Sequence, residues 1–167
     1  MRNLAKRKVV PPIVLLLFLT ACAARQGQYA NPPTAPQLAL RSFAQKNAIL
    51  ATSVHSLTTV TIELNKSRLL TDAQTEPILR KAGEAQSVVL KITKAVDATN
   101  ELDAHSAQSL AVLVDSLLAV VKQAAVDTNA LGIRSDSAKQ QVLDANAIVV
   151  AIASQMLTEL QREGVVQ

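Results

Sequence analysis

Apolar residues recur with helical spacing from Pro36 almost to the end of the chain. Their steps alternate between three and four residues, which places them along one side of an α-helix. Four such segments can be distinguished, and the pattern predicts four helices in one domain. The residues on their apolar sides are Leu40, Phe43, Asn47, Leu50, Val54, Leu57, Thr61 and Leu64 in the first segment; Ile78, Ala82, Ala85, Val89, Ile92 and Val96 in the second; Ala107, Leu110, Val114, Leu117, Val121 and Ala124 in the third; and Val142, Ala145, Val149, Ile152, Met156 and Leu160 in the fourth.

Residues typical of helix starts precede or open these segments. Pro36 suits a first helical turn, where its missing N–H leaves no hydrogen bond unmade. Thr71 followed by Gln74 is typical of a capping box, so the second helix is expected to begin at about Asp72. Asn100 is expected to cap the third helix. One long helix in place of the second and third is the alternative.

The glycines indicate where helices end. Gly132 is expected to end the third helix in the left-handed conformation, and Gly164 to end the fourth, which begins at Ser135 or Asp136. Gly83 lies inside the second helix, where close packing against a neighbouring helix is the expected reason for it. Four helices of about 25 to 30 residues joined by short turns favour an all-α fold, an antiparallel up-down four-helix bundle.

Composition supports the helical interpretation and excludes some kinds of site. Of 167 residues, 49% are apolar but only 2% are aromatic, and a core of Ala, Leu and Val favours helices over a β-sandwich. A core with so few aromatic residues offers few large side chains to line a ligand pocket. The single Cys excludes a disulfide within the chain and a metal site of several cysteines.

The start of the chain has the pattern of an export signal. Four basic residues precede position 9, and an apolar run follows at residues 13–19. A basic region, a short apolar core and small residues before a cleavage site are typical of a secretory signal peptide. The apolar stretch is shorter than the roughly 20 residues needed to span a bilayer, which disfavours a permanent transmembrane helix.

The end of this signal is more specific. Leu19, Thr20, Ala21 and Cys22 resemble the lipobox of bacterial lipoproteins, in which an aliphatic, a small or hydroxyl and a small residue precede Cys. The resemblance implies that residues 1–21 are removed, that the sulfur of Cys22 carries a diacylglycerol thioether, and that its new amino group is acylated. An ordinary signal peptide with a chance Cys is the alternative.

The same resemblance implies a location in the bacterial cell envelope. The residue after Cys22 is Ala23, whereas an Asp there often signals inner-membrane retention in Gram-negative lipoproteins. The resemblance therefore implies the outer membrane, facing the periplasm, in a Gram-negative source, and the plasma membrane in a Gram-positive one. Residues 22–35 include Pro32 and Pro33 and are expected to form a disordered tether, followed by the helical domain at 36–167.

The net charge of +4 has no bearing on the domain. Arg2, Lys6, Arg7 and Lys8 supply all of it, and from Cys22 onward 13 basic and 13 acidic side chains remain. Acidic side chains interleave with the basic ones along the first two helices, and the one aromatic residue there, Phe43, belongs to the apolar side. We therefore expect no nucleic-acid partner.

No arrangement of residues in the sequence indicates an enzyme. His55 and His105 stand alone, without a second ligand one helical turn away, so neither a metal nor another cofactor is expected. Asp72 and Glu76 form an acidic pair that could serve as acid and base, as do Glu101 and Asp103. Both pairs fall in or next to expected first helical turns, where acidic groups complement the helix dipole.

Helices three and four carry more apolar residues than one buried face requires. No charged residue occurs from Ala145 to Thr158, whereas about three apolar residues in seven suffice for a bundle helix. Three explanations remain: surface Ala that merely favours helix, a protein interface with a second copy or a partner helix, and contact with the membrane. The candidate interface residues are Ile148, Val149, Val150, Ile152, Leu113 and Val120.

These patterns together predict a lipid-anchored envelope protein that acts as a non-enzymatic binding or scaffolding bundle. Its partners would be the membrane, through the lipid on Cys22, and a protein or second copy, through helices three and four. The alternative is a membrane-active or pore-forming bundle. Small phage-encoded lipoproteins that block superinfection share the layout, but no residue supports that choice.

Overall fold

The computed structural model describes residues 32–162 of the chain. It contains α1 (Ala35–Lys66), α2 (Asp72–Asp97), α3 (Ala104–Ala130) and α4 (Asp136–Arg162). Each helix packs against the next along the chain, and α4 returns to pack against α1. The predicted all-α, up-down four-helix bundle is therefore confirmed.

Reciprocal capping hydrogen bonds define the starts of α2 and α3. At α2, the Gln74 N–H donates to Thr71 Oγ1 over 3.3 Å and the Thr71 N–H donates to Gln74 Oε1 over 3.0 Å, as predicted. At α3, the prediction of Asn100 as the cap is wrong, because the Ser106 N–H donates to Asp103 Oδ1 over 2.8 Å and α3 begins after Asp103.

The segment between α2 and α3 is a true break rather than a continuation of one helix. Leu102 in this segment is buried, and its N–H donates to the carbonyl oxygen of Pro36 at the start of α1 over 3.3 Å. These contacts hold the segment against α1. The connection from α3 to α4 turns at Gly132, whose φ of 60° is the predicted left-handed conformation.

Gly83 does not have the close neighbour expected for it. It is exposed on α2, and a Cβ added there would meet no heavy atom within 4 Å. The prediction of close helix packing at this position is therefore wrong.

The core follows the predicted apolar sides of α1, α2 and α3 at every position. It consists of a larger cluster, which includes Phe43, Leu110 and Met156, and a smaller one, which includes Leu64 and Ile78. Its members are almost all aliphatic residues or Ala, and Phe43 is the one aromatic residue among them.

Helix α4 departs from its predicted apolar side at two positions. Asn146 and Ala153 are buried, whereas Ala145 and Ile152 are only half-buried. A polar residue can occupy this buried position because Asn146 Nδ2 donates to the carbonyl oxygen of Val121 on α3 over 2.8 Å. The hydrogen bond offsets part of the cost of burying an amide.

Candidate interface on α3 and α4

The predicted lipidation site cannot be placed in the structure. Cys22 and the recognition residues Leu19, Thr20 and Ala21 lie outside the described residues. The remaining predicted site residues all lie on α3 and α4.

The six candidate interface residues divide into three groups by exposure. Ile148 is 54% exposed, and Val149 is fully buried. The other four are half-buried and pack against the larger core cluster; they are Leu113, Val120, Val150 and Ile152. The assignment of Val149 to an interface is therefore wrong, because its side chain faces the bundle axis together with Met156.

The structure reveals two exposed valines on α3 that sequence reasoning missed. Val112 is 65% exposed and Val126 is 60% exposed, and Ala119, which is also exposed, lies midway between them. Residues seven apart lie on nearly the same side of a helix, so the three form one line along the outside of α3. The seven-residue spacing was the available signal. Further large apolar side chains are exposed elsewhere in the described chain, namely Leu38, Ile49, Ile62, Leu69 and Leu90.

A shallow, largely apolar groove of about 370 Å³ runs over the seam between α3 and α4. Lys122 is the one charged residue that lines it, on the α3 side. The small side chains of Ala residues leave room for the groove between the two helices. Its lining consists of Lys122, Ala125, Leu143, Asn146, Ala147, Val150 and Ala151.

Two buried amides lack a partner for their oxygens. Asn146 Oδ1, beneath this groove, has no hydrogen-bond partner among the described residues, although its Nδ2 is bound to the Val121 carbonyl. Asn47 Oδ1 on α1 is likewise unpartnered, while its Nδ2 donates to Thr93 Oγ1 on α2 over 2.8 Å. An unpaired buried oxygen of this kind destabilises a fold by about 1–3 kcal/mol.

Charge is sparse on the outer side of α3 and α4. Asp115 and Lys122 are the exposed charged residues of α3, and α4 has none between Asp144 and Glu159. Glu159 pairs with Lys46 of α1 at the end of the bundle, away from the groove. The middle of the α3–α4 side is therefore an uncharged surface apart from the Asp115 and Lys122 positions.

A second groove, of about 640 Å³, lies over the seam of α1 and α2 and includes His55 and Gly83. It holds no carboxylate or thiol beside the imidazole, and the other lining residues are Ala, Thr, Leu and Gln. Among the described residues there is no group of three or more His, Cys, Asp and Glu side chains that could hold a metal ion.

Asp103 caps the start of α3. Hydrogen bonds to the Asp103 carboxylate, first from the Ser106 side chain and then from the Ser106 N–H, lower the pKa of Asp103. Asp72 on α2 accepts from Asn65 Nδ2 over 2.9 Å. These contacts fix helix starts and do not bring two carboxylates together.

Helices α3 and α4 are also long and apolar enough to cross a membrane, judged by length and composition. Their most apolar windows have a mean hydropathy of 1.7 and 1.3, and 39% and 28% of those windows are buried in the bundle. Core helices of soluble proteins meet the same criterion. The finding agrees with the excess of apolar residues on these two helices.

No protein-family model, curated protein or solved structure matches the chain.

Proposed function

We propose that the protein is a non-enzymatic binding or scaffolding protein of the bacterial envelope. In this proposal the lipid on Cys22 holds it at a membrane, and the outer side of α3 and α4 binds a protein. The anchor is supported by the resemblance of residues 19–22 to a lipobox.

One observation carries the proposed binding side. The solvent-facing part of α4 lacks charge over 14 consecutive positions, and it exposes Ala147, Ile148 and Ala151. The exposed sides of bundle helices are ordinarily charged or polar. Helix α2 follows that rule, with Arg80, Lys91 and Lys94 on its outside. The contrast with α2 supports the α3–α4 side as the one that a partner covers. The uncharged stretch of α1 at residues 47–62 differs from α4 because Thr, Ser and His make up most of its exposed residues.

The anchor explains how a weak binding surface could suffice. Each buried methylene of an acyl chain contributes about 0.8 kcal/mol, and stable attachment requires more than one chain. The lipid modification implied by the lipobox supplies two or three. A protein confined to a membrane meets partners at a high effective concentration, so a modest apolar surface is enough for binding.

The binding side can be tested with a matched pair of substitutions. Ile148 on α4 and Leu90 on α2 are exposed to 54% and 52%. We expect Ile148→Glu to lower the amount of protein that co-purifies after crosslinking in cells, and Leu90→Glu to leave it unchanged. Thermal unfolding of both variants checks that the fold is kept. Equal amounts of co-purified protein from the two variants would contradict the proposal that the outer side of α3 and α4 binds a partner.

The anchor needs a separate experiment. Labelled palmitate should be incorporated into the wild-type chain and not into Cys22→Ser, and the variant should leave the membrane fraction. Unchanged labelling of Cys22→Ser would refute lipidation at this residue.

The apolar character of both α3 and α4 favours a second candidate function, in which the bundle opens and the two helices enter a bilayer. This candidate predicts that the full chain releases a trapped dye from lipid vesicles. Vesicles that stay sealed over a wide range of protein-to-lipid ratios would exclude it.

A further inference from the structure

The outer side of α3 has an internal symmetry. Val112 lies seven residues before Ala119, and Val126 lies seven residues after it. Between the two valines, Asp115 lies four residues before Ala119 and Lys122 lies three residues after it. All five residues are exposed. With about 100° of rotation per residue, they fall within about 80° of one another around the helix. They form a single stripe, which we call the α3 stripe, with opposite charges on opposite sides of its centre.

We propose that two copies of this chain bind each other through the α3 stripe, antiparallel, about a two-fold axis that passes near Ala119. This inference rests on the proposed function, whose binding side it assigns to a second copy. A two-fold axis places the same surface of both copies in contact. In this arrangement Val112 meets Val126 of the second copy, and Asp115 meets Lys122 of the second copy. Both contacts then occur twice.

The charges determine the direction of packing. In a parallel pair, Asp115 would face Asp115 and Lys122 would face Lys122, and like charges placed opposite each other are unfavourable. In the antiparallel pair every charge on the α3 stripe meets its opposite. A bilayer would instead have to take up both charged side chains without partners, which is costly. The charges therefore favour a second copy over a lipid surface as the occupant.

The neighbouring helix is compatible with this packing. The hydrogen bond between Asn146 and the Val121 carbonyl fixes the level of α4 relative to α3. Because the two helices are antiparallel, Ala119 lies near the level of Ala147 and Ala151, which are both exposed. Because the axis passes near α3, the α4 helices of the two copies lie on opposite sides of the α3 pair, and their small exposed residues leave room there for the second copy. The overlap is one helix wide and about 40 Å long, roughly 400 Å² per copy, which is the size of a weak interface and suits two proteins held on the same membrane.

Cysteine crosslinking in intact cells tests the position of the axis. Cys22 is a thioether in the lipidated protein, so a cysteine introduced elsewhere is the only free thiol in the chain. Ala119→Cys on the axis should form a disulfide-linked dimer under mild oxidation. Ser87→Cys, exposed on α2, is the matched control and should not. The parent chain with Cys22 alone should stay monomeric on a denaturing gel.

A charge swap tests the pairing. In the Ala119→Cys background, Asp115→Lys or Lys122→Asp alone should lower dimer yield about tenfold, since each creates two like-charge contacts. The double variant Asp115→Lys, Lys122→Asp should restore the yield to within about twofold. Recovery by the double variant separates pairing from a general loss of stability.

The outcomes distinguish this inference from the proposed function. Equal dimer yield from Ala119→Cys and Ser87→Cys, or a double variant that stays as weak as the single ones, would overturn the antiparallel pair. A disulfide to a different protein without any dimer would overturn self-association but leave the proposed binding side intact. A dimer from the parent chain would show a free Cys22 and so refute the anchor.

Discussion

Replacing Asn146 with Leu should stabilise the bundle. The Asn146 side chain is only 3% exposed, its Nδ2 donates to the Val121 carbonyl, and its Oδ1 has no partner. Leu has nearly the same size and shape. The substitution removes a buried carbonyl oxygen that lacks a hydrogen bond, and it leaves the Val121 carbonyl bound to the N–H one turn later in α3.

The free energy of unfolding changes through three contributions. Losing the hydrogen bond to Val121 costs about 1 kcal/mol, and removing the unpaired oxygen returns about 1–3 kcal/mol. Burying the Leu side chain adds about 1.5–3 kcal/mol, part of which is lost to imperfect packing. We expect a net gain of about 1–3 kcal/mol for Asn146→Leu.

Urea denaturation followed by circular dichroism measures this change, provided that the slope against urea concentration is the same as for the wild type. Asn47→Leu is a parallel test. Thr93 remains hydrogen bonded to the Val89 carbonyl in that variant, so a similar gain is expected. A loss of more than about 1 kcal/mol in Asn146→Leu would refute the reasoning, because it would mean that a buried water satisfies Oδ1 in the wild-type protein.

Two further predictions concern single helices. Gly83→Ala should stabilise the protein by about 0.5–1 kcal/mol in thermal or urea unfolding. The new Cβ would meet no heavy atom within 4 Å, and the unfolded chain would lose conformational freedom. The control is Gly132→Ala, which should destabilise the protein because the φ of Gly132 is 60°. Asp103→Asn keeps a capping oxygen but cannot ionise. Because the pKa of Asp103 is lowered in the fold, its contribution is present at neutral pH and is lost as the pH falls below about 4. The stability difference between wild type and Asp103→Asn should therefore shrink from pH 6 to pH 2, and a constant difference would contradict the capping role.

The sequence alone predicted most of the bundle because α1, α2 and α3 have one clear apolar side each. The Thr71 capping box and the left-handed conformation of Gly132 could also be predicted from the sequence, since both depend on a few neighbouring residues. The start of α3 could not be predicted in this way. Asn100 and Asp103 are both good caps, and the choice between them depends on the burial of Leu102 and its hydrogen bond to Pro36 in another helix.

Helix α4 shows why the candidate interface was only partly predictable. Apolar residues occur on all its sides, so their spacing does not say which side is buried. The core position of Asn146 depends on the Val121 carbonyl of α3, which no local pattern reveals. Composition therefore identified α3 and α4 as unusually apolar helices, and their role as an interface stays a prediction, while Val149 was assigned to the wrong side of α4.

The two buried amides also bear on the handedness of the bundle. Four up-down helices can follow one another clockwise or anticlockwise around the bundle axis, and the same helices are neighbours in both arrangements. What differs is the side of each helix that faces each neighbour. In the observed arrangement, the Asn47 side chain donates a hydrogen bond to α2 and the Asn146 side chain donates one to α3. In the mirror arrangement they would face α4 and α1 instead.

A core of Ala, Leu and Val distinguishes poorly between these two arrangements, because aliphatic side chains pack acceptably in either. An amide that finds its partner in only one arrangement penalises the other. We therefore expect Asn47 and Asn146 to favour the observed handedness while lowering stability. A chain with Leu at both positions would be harder to unfold and freer to assemble in mirror order.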